Sequence, residues 1–356
     1  TDGDNLGDAC DADDDGDGVL DAVDNCALGA NTNQIDSDTD GAGDACDYTF
    51  DKRISYVTSI EIAAGSGADL CCFDFNGDGT KDNKLGSVLG LVKSLAPTFD
   101  VNQILAEQIA DGGLVLLLEA KNVTDIANAS GVTLNGFYGT DGDADTTNNT
   151  SGTADFIVNP SSFVEGTSAP LISFAGASIV SSVLNAGPSV FALSIPVLGA
   201  SLDLTVDGTR IEGSVGAGLD GADGGLKMGD PDGASLGGYV ASANVATAFN
   251  TYLDASCSCI AKIDDAKPYV GTEVKAGAEQ LVLNIGKGDD CTEEAEDTCA
   301  TIAQYIGQGG LASTLIGPAL APDVDGDDDG IKESISVGVR IKATSARVMG
   351  VDSCTP

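Results

Sequence analysis

Asp13, Asp15 and Asp17 alternate along the chain and are followed at once by Gly18, a spacing that can turn three carboxylates onto one hard cation. In a twelve-residue calcium loop, positions 1, 3, 5, 9 and 12 supply side chains. Position 7 supplies a backbone carbonyl, and position 6 is glycine for the sharp turn. Residues 13–24 fill this frame with Asp13, Asp15, Asp17, Gly18, Val19, Asp21 and Asp24. Residues 36–47 fill it again with Asp36, Asp38, Asp40, Gly41, Ala42, Asp44 and Asp47. Asp2, Asp4, Leu6, Asp8 and Asp11 fit positions 3, 5, 7, 9 and 12 of another loop, with Asn5 in place of the glycine. The first position of that loop would precede Thr1, so a longer native chain is expected. Residues 1–47 hold fifteen aspartates and no lysine or arginine, and bound calcium would offset their mutual repulsion. A disordered acidic tail is the plain alternative, but random acidity would not set Gly18 and Gly41 at the turn.

Two further loops of this type lie later in the chain. One places Asp74, Asn76, Asp78, Gly79, Thr80 and Asp82 on positions 1, 3, 5, 6, 7 and 9, with Leu85 at the twelfth. The other places Asp325, Asp327, Asp329, Gly330, Ile331 and Glu333 on the same positions, with Ser336 at the twelfth. Without the twelfth carboxylate, that corner is expected to pass to water or to a distant residue, with weaker binding. Asp141–Asp145 lacks the turn glycine and reads as a plain loop. The Gly- and Asp-rich stretch 220–233 reads as ordinary turn chemistry.

The stretch "DADDDGDGVLDAVDNC", the stretch "NTNQIDSDTDGAGDACD" and the partial "DGDNLGDACD" resemble the thrombospondin type 3 repeat, in both loop spacing and cysteine placement. The resemblance covers residues 1–47, with Ala27 standing where a proline usually follows Asp-Asn-Cys. It implies a calcium-binding strip with almost no hydrophobic core, ordered by metal and by a Cys26–Cys46 disulfide. It also leaves Cys10 to pair with a cysteine upstream of Thr1, or with Cys354.

The elements that would carry the later loops begin near Tyr48, where aromatic, basic and β-branched residues appear together. Strand patterns run over 54–63, 114–120, 132–138, 154–158, 190–198, 202–206, 210–215, 279–285 and 335–348. Helical periodicity marks "NKLGSVLGLVKSL", "DVNQILAEQIA", 244–254 and "TEEAEDTCATIAQYI". The expected fold is mainly β, with residues 1–47 as calcium-binding repeats. Residues 48–356 would form a β-sandwich or jelly-roll-like domain with a few short helices. Residues 166–202 carry no charge, which buried strands or a self-associating surface would each explain.

A net charge of −40 argues against nucleic acid or anionic membrane as partners and favours multivalent cations. Ten cysteines in so acidic a chain point to an oxidising, extracytoplasmic compartment. Cys291 and Cys299 are close enough to pair locally. Cys71 and Cys72 are expected to bond different partners, with Cys257 and Cys259 the leading candidates. Neither Cys-Cys nor Cys-x-Cys is the Cys-x-x-Cys spacing of a zinc site. With no histidine, Ser-His-Asp and Cys-His mechanisms are excluded, and no phosphate- or dinucleotide-binding fingerprint is present. The expected function is non-enzymatic: an extracellular, calcium-stabilised structural or adhesive surface protein that self-associates into a filament or matrix or joins another surface component. A calcium-dependent glycan- or protein-binding module is the second reading, and a calcium-dependent carbohydrate-active enzyme the third.

Overall fold

The computed structural model describes residues 12–13, 15–27, 30–36, 41, 43, 47–63, 71–95, 100–143, 145–164, 167–197, 200–219, 221–257, 259–286, 291, 299, 303, 307, 321–327 and 329–351. β-branched and leucine-rich runs such as "ISYVTSIEI" and "VLLLEAK" form β1 (Ile54–Ile62) and β2 (Val115–Lys121), which pair antiparallel. β2 continues to β3 (Asn128–Asp141), which pairs with β5 (Ile172–Val180). Ser181 and Ser182, both at positive φ, make the tight turn from β5 into β6 (Val183–Val197). β6 pairs with β7 (Ala200–Gly218). The next place in the sheet is shared by β8 (Gly221–Met228) and β9 (Ala234–Ala241), each pairing with β7 and with β12 (Ser334–Ser345).

β12 then pairs with β1, from Ser55 opposite Ser345 to Ile62 opposite Val339. The sheet therefore closes on itself as an antiparallel, eight-position barrel in which each strand neighbours the next in sequence. This corrects the expected sandwich or jelly roll. Alternating polarity and tight turns suit both, and what decides is the pairing of the first strand with the last long one, which removes the sheet edges. β4 (Asp155–Val158) pairs with the end of β3, and β13 (Arg347–Val351) adds to β4 in parallel. At eight strands, side chains fill the interior, and the main core includes Tyr56, Leu118, Val132, Phe174, Leu184, Ile211 and Ile341. The uncharged run 166–202 is largely barrel wall, since it contains β5 and β6 and the start of β7.

Between β1 and β2 come α1 (Lys84–Leu95) and α2 (Val101–Ala110). Asp100 caps α2 by accepting from Asn102 N at 3.1 Å and Gln103 N at 3.4 Å. Between β9 and β12 come α3 (Ser242–Ser256) and the hairpin of β10 (Val270–Lys275) and β11 (Ala278–Leu283). These build a second core around Tyr252, Leu253, Tyr269, Leu281 and Ile285, stapled by Cys257–Cys299 and Cys259–Cys291. The expected local Cys291–Cys299 pair is thus replaced by two nested links from Cys257 and Cys259. Cys71 and Cys72 bond each other, not separate partners. They lie buried against β12, where Gly338 lets their backbone approach and a Cβ would collide with the Cys71 carbonyl. The periodic stretch 292–306 falls mostly outside the described residues, although Cys299 and Ala303 within it are helical and buried. Among the described residues, no helix is long and apolar enough to cross a membrane.

The chain enters the barrel through Tyr48. Its ring packs edge-on to Phe50 and Phe137, at centroid distances of 4.9 and 5.4 Å. Its hydroxyl donates to Glu119, a carboxylate with 0% exposure on β2. Glu119 also accepts from Asp51 N at 2.5 Å and Asn135 Nδ2 at 3.0 Å, and Lys121 Nζ stands 3.8 Å away. A buried carboxylate needs such donors. Burial, then the hydrogen bond to Glu119, pushes the Tyr48 phenol well above its ordinary range, so it remains a donor.

Candidate metal centre

The loops share one local construction. At position 6 the glycine N–H donates to the position 1 carboxylate: Gly18 to Asp13 and Gly41 to Asp36 at 3.1 Å, Gly79 to Asp74 and Gly330 to Asp325 at 2.8 Å. These glycines have φ of +93°, +103°, +87° and +90°, and a Cβ on any of them would meet nothing within 4 Å. Glycine is therefore required by conformation rather than by space. The rungs recur above it. Asp17 N donates to Asp15 at 3.0 Å, Asp78 N to Asn76 at 2.9 Å and Asp329 N to Asp327 at 3.1 Å. Val19 N donates to Asp17 and Thr80 N to Asp78 at 2.8 Å, and Ile331 N to Asp329 at 2.7 Å.

These bonds gather oxygen atoms. Asp13, Asp15 and Asp17 each bring a carboxylate oxygen within 4.8 Å of the others, and Asp325, Asp327, Asp329 and Glu333 do the same. Asp15 Oδ2, Asp24 Oδ2 and Glu333 Oε2 are buried without hydrogen-bond partners, which suits atoms that face a cation. Burial, then the charges of Asp17, Asp24 and Asp13, push the Asp15 carboxyl up against the lowering effect of the Asp17 N–H. The other Asp24 oxygen accepts from Cys26 N and Gln34 Nε2, both at 2.7 Å. Asp17 Oδ2 accepts from Asn31 N at 2.8 Å, tying the loop to the segment beyond it.

In the two later loops a bridge at the ninth position (Asp82) or the tenth (Ser334) closes the loop. Phe73 bridges to Asp82 and Val324 to Ser334 in antiparallel fashion, so each loop ends before position 12 is reached. Leu85 instead packs on the barrel core from α1. Ser336 is buried on β12, where its hydroxyl donates to Asp323 at 2.5 Å and accepts from Lys84 N at 2.8 Å. The empty twelfth position thus reflects a shorter loop held by its own bridge, rather than a lost ligand. Asp82 accepts from Phe75 N at 2.7 Å and Asn76 Nδ2 at 2.9 Å, and Glu333 accepts from Gly326 N at 2.6 Å. Burial is the main reason the Asp82 carboxyl is pushed up, and the Thr80 hydroxyl hydrogen bond the main reason Asp78 is held down.

The two loops also adjoin. Phe75, second in its loop, meets Tyr239 at a ring distance of 5.8 Å, and a Cβ on Gly326, second in the other, would lie 3.0 Å from the same ring. Tyr239 sits far from both in sequence, so spacing alone could not show this. Of the other expected ligands, Asp21, Asp24, Asp36, Asp47, Asp74, Asp78 and Asp82 are described but stand outside the tight carboxylate groups, so the loop at Asp74 shares the bond pattern of the others without their close clustering of acids. Asp2, Asp4, Leu6, Asp8, Asp11, Asp38, Asp40, Ala42 and Asp44 lie outside the described residues. Cys26 is disulfide-bonded, while its expected partner Cys46 and the leftover Cys10 and Cys354 lie outside the described residues.

Acid- and carbonyl-rich loops of this kind take hard divalent cations through oxygen. No curated protein and no solved structure matches the chain. Residues 1–34 match the thrombospondin type 3 repeat, a calcium-binding repeat of extracellular proteins, and that match spans the loop built on Asp13, Asp15 and Asp17.

Proposed function

We propose that the chain is an extracellular, calcium-stabilised structural or adhesive surface protein. Residues 1–47 act as a metal-ordered spacer, and residues 48–356 act as a β-rich module carrying two further calcium loops. One observation carries this reading. The same glycine-to-aspartate bond and the same rungs recur in the repeat region and in two loops on the barrel, and in the Asp13 and Asp325 loops carboxylates are also drawn together with some of their oxygens unpartnered. Every described cysteine is disulfide-bonded, in keeping with an oxidising compartment. The function is non-enzymatic, and calcium is the ligand of each loop.

Equilibrium dialysis of the purified chain against calcium tests the reading. Saturable binding of several ions at free calcium of about 10⁻⁴–10⁻³ M, the range of extracellular modules, is expected. No saturable binding in that range would remove the reading. Self-association is its further form: at −40, copies would approach only with bridging cations between them. The uncharged run that suggested a contact surface is largely barrel wall, which weakens the case for a contact there. Sedimentation at millimolar calcium, giving monomer at every protein concentration, would leave the calcium-dependent binding module as the better description.

A further inference from the structure

We propose that residues 141–149 form an additional calcium site, in which Asp141, Asp143, Asp145, the Thr147 carbonyl and the Asn149 side-chain oxygen hold the ion. The inference rests on the calcium reading above and extends it to a segment with neither the turn glycine nor a match to the repeat. The five residues occupy positions 1, 3, 5, 7 and 9 of the loop frame. Asp143 N donates to Asp141 at 3.1 Å, Asp145 N to Asp143 at 2.9 Å and Thr147 N to Asp145 at 3.2 Å. A 3-10 turn over Thr146–Asn148 carries the chain round where the other loops use glycine.

Hydrogen bonds within an acidic loop do not make a site, and what points to a ligand here is Asn149. Its side chain is 1% exposed, and neither its Oδ1 nor its Nδ2 has a hydrogen-bond partner. Asn148 Oδ1 is likewise buried without a partner. Buried amides are satisfied in nearly all folded chains, so a site with two such residues lacks something polar. The Asn149 amide faces the loop. A Cβ on Gly112 would sit 3.3 Å from Asn149 Nδ2, 3.8 Å from the Asp141 Cβ and 3.8 Å from the Thr146 Cγ2, so the amide, the first ligand and the turn surround one point. Gly112, at φ +72°, puts no side chain there.

The loop is also closed at its base, as the two barrel loops are. Asp141 pairs with Phe156, and Gly142 N donates to Asp155 O at 2.8 Å. The neighbouring cation, Arg347, forms its ion pair with Asp155, at 2.7 and 3.0 Å, rather than with a loop carboxylate, although its charge is also felt at Asp143. The carboxylates of Asp141, Asp143 and Asp145 are less tightly gathered than those of Asp325, Asp327, Asp329 and Glu333. Asp143 and Asp145 are exposed, but Asp143 also accepts from Asn148 Nδ2 at 2.7 Å and Asp145 from Thr147 Oγ1 at 2.6 Å, so an entering ion must share or displace these bonds. With an amide at the ninth position instead of an acid, this site is the weaker one.

The test is the calcium count of the full chain by equilibrium dialysis, for the wild type, Asp145→Asn and Asn149→Leu. Each variant is expected to bind one calcium fewer than the wild type at saturation, while the two melt no lower than the wild type in chelator. A variant count equal to that of the wild type overturns the site and leaves the other loops standing. A wild type that binds no calcium overturns the wider reading as well. Should Asn149→Leu not fold, the exposed Asp145→Asn decides alone.

Discussion

Residues 13–19 and residues 325–331 use the same side chains and the same hydrogen-bond rungs, but they are mounted differently. Around Asp325 the loop is clamped by the Val324–Ser334 bridge and runs directly into β12, which pairs with β1 and β9. Around Asp13 no described strand or helix lies within residues 12–47, and the contacts are polar ones among Asp17, Asp24, Asn25, Asn31 and Gln34. One loop borrows its shape from a hydrophobic core. The other takes it from polar contacts and a disulfide and, on the function proposed above, from a bound cation. The difference shows that one loop sequence can be an accessory to a fold or the main organiser of its own segment.

The largest effect should come from removing calcium. Chelation is expected to raise protease cleavage within residues 1–47 by about 100-fold, the population ratio lost when free calcium falls from 100 times Kd. Cleavage within the barrel should change little. Equal acceleration in both regions, read by mass spectrometry of the fragments, would erase the distinction. Next is Tyr48→Phe, which takes a donor from a buried carboxylate and should cost about 1–3 kcal/mol. It should lower the melting temperature of the barrel without altering the calcium count.

Gly18→Ala and Gly330→Ala sharpen the comparison further. Each forces a Cβ into a left-handed conformation at about 1–2 kcal/mol, hence roughly tenfold weaker calcium binding at that loop. Only Gly18→Ala should also expose its segment to protease, because the Gly330 loop stays bridged.

The smallest effect is a change of sign with pH. Asp15 has its folded pKa raised, so in chelator its contribution is present below the ordinary aspartate range and is lost as pH rises through the folded pKa. Hydrogen-exchange protection factors in residues 12–36, with the intrinsic pH dependence of exchange divided out, should therefore be higher near pH 4 than at pH 7 without calcium. With calcium the order should reverse, because protons then compete with the ion for the same oxygens. The same order in both conditions would show that Asp15 does not face the ion.

Much of this was legible in the sequence, and the omissions have physical causes. β1, β2, β11 and the helices α1, α2 and α3 follow from periodicity, and the loop frames from spacing around Gly18, Gly41, Gly79 and Gly330. Closure was not legible, because Ser55 pairs with Ser345 and nothing local records so distant a partner. β8 and β9 were missed because "GADGGLKM" and "ASLGGYVA" are too glycine-rich to alternate clearly. Cys257–Cys299 and Cys259–Cys291 nest one inside the other where proximity in sequence favours a local Cys291–Cys299 pair, since the β10–β11 hairpin between them folds the two cysteine pairs together. Residues 141–145 read as a plain loop because they lack the turn glycine, and the 3-10 turn at Thr146–Asn148 that stands in its place leaves no such mark in the spacing.

The Tyr48 anchor has a mechanical consequence. Asp47 is the last residue of the second repeat frame, and the next residue is already bonded to Glu119 on β2 and wedged among Phe50, Phe137 and Phe163. Tension applied through the spacer reaches this clamp before it reaches β1. The load is then shared with β2 and β3, through Glu119 and Asn135, instead of peeling the first strand from its neighbours one hydrogen bond at a time. A segment fastened in this way yields by shear across several bonds at once rather than by unzipping.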